Sequence, residues 1–206
     1  MNHKFSILLA FYLLSWPTYA QEYQDTKIRL DEGLSYRIQM QGSVSDNRTP
    51  LWLNANHNGL SSLEKNNGYF RAAVERKLTT DSLHKWGLGY ALDIAGAYHY
   101  TSKPIIQQAY IEGRWLKGVL TIGAKEWPME MKNNRLSSGS QTLGINARPV
   151  PQIRLALDQW WNVFKIRWLA LKGHISYGML TDGNWEEDFT SAKTKYGKKV
   201  LYHSKA

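Results

Sequence analysis

The sequence predicts an all-β fold, an antiparallel transmembrane β-barrel, and three features of the chain point to it. Beyond position 20 the apolar residues recur with period two, as in a strand with one greasy face. Aromatic residues are abundant, with 9 Trp and 12 Tyr, yet mean hydropathy is negative at -0.48. No segment beyond position 20 reads as a membrane helix, since the best, residues 160–171, is broken by Asn162, Lys165 and Arg167. A barrel accommodates all three, because its apolar outer band is diluted by a polar lumen and bordered by aromatic side chains.

Residues 1–20 are set apart from the fold. Lys4 precedes the apolar run 5–16, broken only by Ser6 and Ser15, and Thr18-Tyr19-Ala20 then offers a small-residue cleavage site. This is the order of a secretory signal peptide, cleaved near Ala20, which leaves 21–206 as the exported barrel portion. The run is too short to span a bilayer as a helix. The chain has no Cys, so export is not accompanied by disulfide stabilisation. Its formal charge of +9 fits an anionic partner, either lipid phosphates or an acidic polysaccharide, and export argues against nucleic acid. The expected location is the outer membrane of a Gram-negative bacterium.

Strands are expected over residues 36–45, 50–56, 69–79, 86–99, 153–164 and 168–180, with two more inside 105–125. In the stretch 86–99, Trp86, Leu88, Tyr90, Leu92, Ile94 and Tyr98 fall on one side. The other side is mostly Gly and Ala with Asp93, which suits a tightly filled lumen. Lys117-Gly118 reads as a two-residue hairpin turn that sets Leu116 opposite Val119 and Trp115 opposite Leu120. That register joins the apolar faces of both strands and brings Glu112, Arg114 and Lys125 to one polar surface. Residues 127–151 form a long polar connection. Residues 190–206 are rich in Lys and offer no closing strand, so the first and last strands are expected to stay unpaired in an incomplete barrel of about eight to ten strands.

Motifs for catalysis are absent. There is no GxSxG, HExxH or Walker A sequence and no zinc-type Cys cluster, so neither an enzyme nor a cofactor is expected. His57, His84, His99, His174 and His203 have no diagnostic spacing to Ser or Asp. Asp93 and His99 share a face but stand roughly 20 Å apart along one strand. Glu186-Glu187-Asp188 lacks the pattern of a calcium loop and reads as solvated. Trp160-Trp161 reads as an interface anchor, with sugar stacking as the alternative. Glu112, Arg114 and Lys125 are the candidate ligand-binding residues; the alternative is that they are the salt-bridged filling of the lumen.

Five blocks carry a resemblance to a known family. They are residues 49–60 (TPLWLNANHNGL), 69–76 (YFRAAVER), 123–127 (GAKEW), 136–140 (LSSGS) and 146–154 (NARPVPQIR). Together they resemble the front half of the capsule assembly Wzi family. The resemblance implies a non-enzymatic outer-membrane β-barrel, larger than this chain, that holds capsular polysaccharide at the cell surface in the manner of a lectin. It implies a truncated relative here, and it carries no sugar-binding residue onto a particular position. The alternatives that the residues leave open are an outer-membrane lipid-modifying hydrolase and a small passive porin.

Overall fold

The computed structural model describes residues 29–50, 53, 57–81, 84–100, 104–127, 146–163, 168–181 and 201–205. Eight strands form one antiparallel sheet in sequence order: β1 (Leu34–Val44), β2 (Asn66–Arg76), β3 (Trp86–Tyr98), β4 (Ile105–Trp115), β5 (Gly118–Ala124), β6 (Pro151–Asn162), β7 (Ala170–Met179) and β8 (Leu201–Lys205). A 3-10 turn, Leu78–Asp81, joins β2 to β3. Among the described residues β1 and β8 have no further strand partner, so the sheet is not closed. No helix of the described residues is long and apolar enough to cross a membrane.

A meander puts alternate connections at opposite ends, and the two ends differ here. Counted along the chain, the strands are separated at one end by residues 45–65, 99–104, 125–150 and 180–200, and at the other by 77–85, 116–117 and 163–169. The sheet therefore has a long-connection end and a short-turn end.

Period two separates the faces as the sequence suggests. On the outer face Leu92 (47 % exposed) stands opposite Val74, and Ile111 stands opposite Ile122, which in turn faces Ile153. These, with Ile38, Leu155 and Ile175, make an exposed aliphatic band. Trp86, Trp115, Trp160, Trp161 and Trp168 are all exposed beside the short turns, and Phe70, Tyr98 and Tyr177 toward the other end. The band stops at β8, where the exposed Lys205 faces Ile175. A charge on an edge strand discourages pairing with other chains.

The inner face is where the protein is packed. Ala91, Ala95, Tyr110, Val119, Thr121 and Ala156 are buried there. Near the long-connection end Leu60 and Tyr100 close over Tyr69, Ala95 and Ile105 as a small apolar cluster. Asn146 ties two connections together: its Oδ1 accepts from His57 N and Gly59 N, both at 3.0 Å, and its Nδ2 donates to Ser61 Oγ.

The structure corrects the strand at 50–56 and the position of the hairpin turn, and adds a bulge and an eighth strand. Of residues 50–56, only Pro50 and Leu53 are described, and neither is in a strand; Leu53 N donates to Pro50 O in a tight turn. Seven residues that open on a proline are too few to show whether alternation is a strand or a turn. The hairpin pairs Trp115 with Gly118 and Arg114 with Val119, so the turn is Leu116-Lys117. Leu116, not Gly118, takes the positive φ, 55°, and its N–H donates to Lys85 O at 2.7 Å. The slip moves one residue on each strand, so both faces survive it. In β4 a bulge changes parity: Asp93 faces Gln108 while Ile94 faces Ile106, which leaves Gln107 as an extra residue. Ile105 turns inward and Ile106 outward as a result. Finally, Leu201–Lys205 does form a strand, because β7 offers it a free edge. Residues 1–20, 136–140 and 186–188 lie outside the described residues.

The glycines of β3 are a test of face assignment. A Cβ on Gly89 would lie 2.8 Å from Glu112 Cγ and 3.0 Å from Leu78 N, whereas a Cβ on Gly96 meets nothing. Gly89→Ala should cost about 1–3 kcal/mol through overpacking, and Gly96→Ala should be neutral or mildly stabilising. Urea midpoints of the two variants, refolded in detergent, decide it.

Candidate functional site

The antiparallel register lays one row of side chains across the inner face. Glu112 faces Thr121, Thr121 faces Arg154, Arg154 faces Ser176 and Ser176 faces Ser204. Glu112, Thr121, Arg154 and Ser176 are all buried. A carboxylate and a guanidinium that far from water must be matched. Lys125 Nζ donates to both oxygens of Glu112, at 2.7 and 2.6 Å, and Arg154 pairs with Asp158 at 3.3 Å.

Glu112, Arg114 and Lys125 line one cavity of about 370 Å³, with Glu75, Lys77, Lys117 and Asp158 on its other walls. The cavity sits toward the short-turn end, under the 3-10 turn. Arg114 is held there by donating Nη2 to Asp81 O, while its Nε, though buried, has no partner among the described residues. The three residues are thus neighbours, but two of their charges are spent on each other.

A second cluster lies nearer the middle of the sheet. Asp93 is fully buried. Arg71 grips it with two nitrogens, Nε to Oδ1 at 2.8 Å and Nη2 to Oδ2, and Arg37 of β1 adds a third contact at 2.8 Å. Arg71 also reaches Glu126 at 2.8 Å, and Glu126 accepts from Gln107 and donates its own N–H to Gln108. The β4 bulge explains this: with an extra residue, two successive glutamines both point inward.

Gly123 makes the junction between the clusters. Its φ is 117°, and a Cβ there would stand 2.1 Å from Ala109 O, so only glycine fits. Past it the chain leaves strand geometry, and three consecutive side chains reach the inner face. Lys125 meets Glu112, Glu126 meets Arg71, and Trp127 lies with Lys125 Nζ 4.7 Å and Arg154 Cζ 4.1 Å from its ring centre. The indole keeps two like charges apart while attracting both. Its Nε1, like the fully buried Thr121 Oγ1, has no hydrogen-bond partner among the described residues.

The arrangement can hold a polar ligand by hydrogen bonds and charge. No group of three or more metal-ligating side chains is gathered among the described residues. Sequence reasoning missed Arg37, Arg71, Asp93, Glu126, Trp127 and Arg154 as members of the site. Arg71, Glu126, Trp127 and Arg154 belong to the blocks quoted for the family resemblance, and Asp93 is the one charge on the small-residue face of β3, so a signal was present. Its meaning depended on the bulge and on Gly123.

Outside the strands, Asp81 gives a pH-dependent test. The Arg76 guanidinium, and then the Leu88 N–H, hold its carboxyl below the usual value of 3.8, against burial, which pushes it up. A depressed folded pKa means that the stabilisation is full above the unfolded value and is lost as pH falls through the lower folded one. Denaturant midpoints in detergent should therefore drop below about pH 4. Asp81→Asn should be less stable at neutral pH and show a shallower acid limb.

Compared with family models, with curated proteins and with solved structures, the chain matches none.

Proposed function

We propose that this chain is a Wzi-like, non-enzymatic component of an outer-membrane β-barrel that binds or anchors capsular or other surface polysaccharide. The observation that carries the reading is the two-faced sheet. An exposed aliphatic band runs across the strands from β1 to β7, with tryptophans beside the short turns and a thinner aromatic set toward the long connections. Such a band, with aromatic borders and unequal ends, suits a bilayer. In water it would be an exposed apolar surface far larger than single-chain proteins tolerate. The convergence of Arg71, Glu126, Trp127 and Arg154 on the inner face supports the resemblance, since three separate blocks supply them.

In this reading the short turns face the periplasm and the long connections face the polymer. Glu112, Arg114 and Lys125 then lie inside the barrel, and a saccharide role for them is a separate claim from lectin function. The purified protein in detergent should retain capsular polysaccharide in a sedimentation or glycan-array assay, and loss of all retention would end the lectin reading. Arg114→Ala should weaken retention if the cavity takes part; unchanged retention in a folded variant makes the cavity lumen filling only.

One contact favours the hydrolase alternative. His174 Nε2 lies 3.2 Å from Ser204 Oγ on the inner face, within reach for a base and its nucleophile. A fluorophosphonate probe that labels the protein, and fails to label Ser204→Ala, would replace the binding reading with an ester-cleaving one.

Lipid contact is tested at Leu92, which is 47 % exposed and packs on the outer face. Leu92→Arg should cost roughly 2–4 kcal/mol in bilayers if it faces lipid near mid-membrane. On a water-washed face the same change would stay within about 0.5 kcal/mol. Folding yields into vesicles, followed by heat-modifiable gel mobility, distinguish the two.

A further inference from the structure

We propose that the cavity beneath the 3-10 turn is a binding site for a phosphate dianion, either free or carried as a monoester by a small polar molecule. Such a site is independent of lipid contact and of polysaccharide binding.

The strand register builds the cavity around an arginine. Arg114 of β4 stands opposite Gly87 of β3 and Val119 of β5, on the inner face. A Cβ on Gly87 would lie 3.2 Å from Arg114 Nη2, so the guanidinium occupies room that a larger residue there would need. Among the described residues its contact is Nη2 donating to Asp81 O; the buried Nε has no partner, and no carboxylate pairs with the group. An arginine presents five N–H donors in a planar fork, so most of these donors are unanswered. Lys77, just past β2, and Lys117, in the β4–β5 turn, line the same cavity. Neither pairs with a carboxylate among the described residues, and Lys117 Nζ donates to Trp160 O at 3.0 Å.

Charge selects the ligand. On the cavity walls Glu112 is met by Lys125, and Asp158 by Arg154. Arg114, Lys77 and Lys117 are left against one carboxylate, Glu75, which accepts from the Tyr110 hydroxyl at 3.0 Å. Three cations against one carboxylate leave a surplus of two positive charges around one space. A phosphate monoester carries about −1.5 to −2 at neutral pH, which matches that surplus; a monocarboxylate would cancel only part of it. Two lysines supply point charges and the arginine a fork, and both geometries suit phosphate oxygens. The volume, about 370 Å³, lies near the lower end of the roughly 300–1,000 Å³ of small-molecule sites, so it suits one small molecule rather than a length of polymer. Leu78, Leu116 and Val119 give the cavity an apolar wall, while Thr79 and Gln159 offer partners for hydroxyl groups.

The test is calorimetric titration of the full chain, folded in uncharged detergent at low salt, with glycerol phosphate, inorganic phosphate, succinate and acetate in turn. Saturable binding of the phosphate probes is expected, with succinate and acetate weaker. Tighter binding of glycerol phosphate than of inorganic phosphate identifies a monoester as the ligand; the reverse, or equality, identifies free phosphate. Succinate or acetate binding as tightly as phosphate would reveal a general attraction for anions and overturn the proposal, as would no binding of either phosphate probe at millimolar concentration. Arg114→Gln should weaken phosphate binding about tenfold or more. Lys77→Gln with Lys117→Gln should weaken it about threefold or more. Lys85→Gln removes an exposed lysine that does not line the cavity, and should leave binding unchanged. Should Arg114→Gln fail to fold, the lysine pair decides, since Lys77 and Lys117 are both exposed. Unchanged affinity in that double variant, or an equal loss in Lys85→Gln, overturns the site.

Discussion

The Arg71–Asp93 ion pair is the contact on which the rest of the inner face depends. Asp93 has no exposed surface, so its charge must be met within the protein. Arg71 on the neighbouring strand meets it with two nitrogens, and Arg37 adds a contact from one strand further out. Because Arg71 also holds Glu126, the pair binds four parts of the chain: β1, β2, β3 and the segment after β5. Removing one partner of such a buried pair typically costs about 3–5 kcal/mol. Its worth is as much in specificity, since no neighbouring register would return both charges to each other.

Small residues make room for this network. Gly87 and Gly89 lack side chains where Leu78, Asp81 and Glu112 press against the sheet. The 3-10 turn can then fold beneath the sheet, with Asp81 bound by Arg76 and its carbonyl accepting from Arg114. The same turn roofs the cavity that Glu112, Arg114 and Lys125 share. A chain with larger residues on that face of β3 would expel the turn, and the cavity with it.

The outer face obeys the opposite rule. Its side chains touch mainly their cross-strand neighbours, and two of its glycines, Gly96 and Gly113, open onto empty space. Packing does not specify it, so its composition answers to whatever solvent surrounds it. The exposed tryptophans among the described residues lie at one end, beside the short turns. Polar loops tucked over the inner face at the other end, such as the Asn146 bridge, belong to the same division of labour.

Period-two alternation by itself determined the β class, the identity of the two faces in β3, β5 and β7, and the meeting of Glu112 with Lys125 on the polar side. Alternation survives any pairing error of an even step, which is why the hairpin could slip while its faces stayed true. Tertiary structure decided what no local pattern encodes. Leu116 adopts a positive φ where its N–H donates to the Lys85 carbonyl at the start of the adjacent strand β3. Gln107 sits in a bulge from which its Nε2 donates to both Glu126 and the Asn58 carbonyl. Leu201–Lys205 becomes a strand because β7 has an edge to offer. In each case the deciding partner is distant along the chain, and a hydrogen bond or ion pair made across that distance outweighs the preference of the few residues involved.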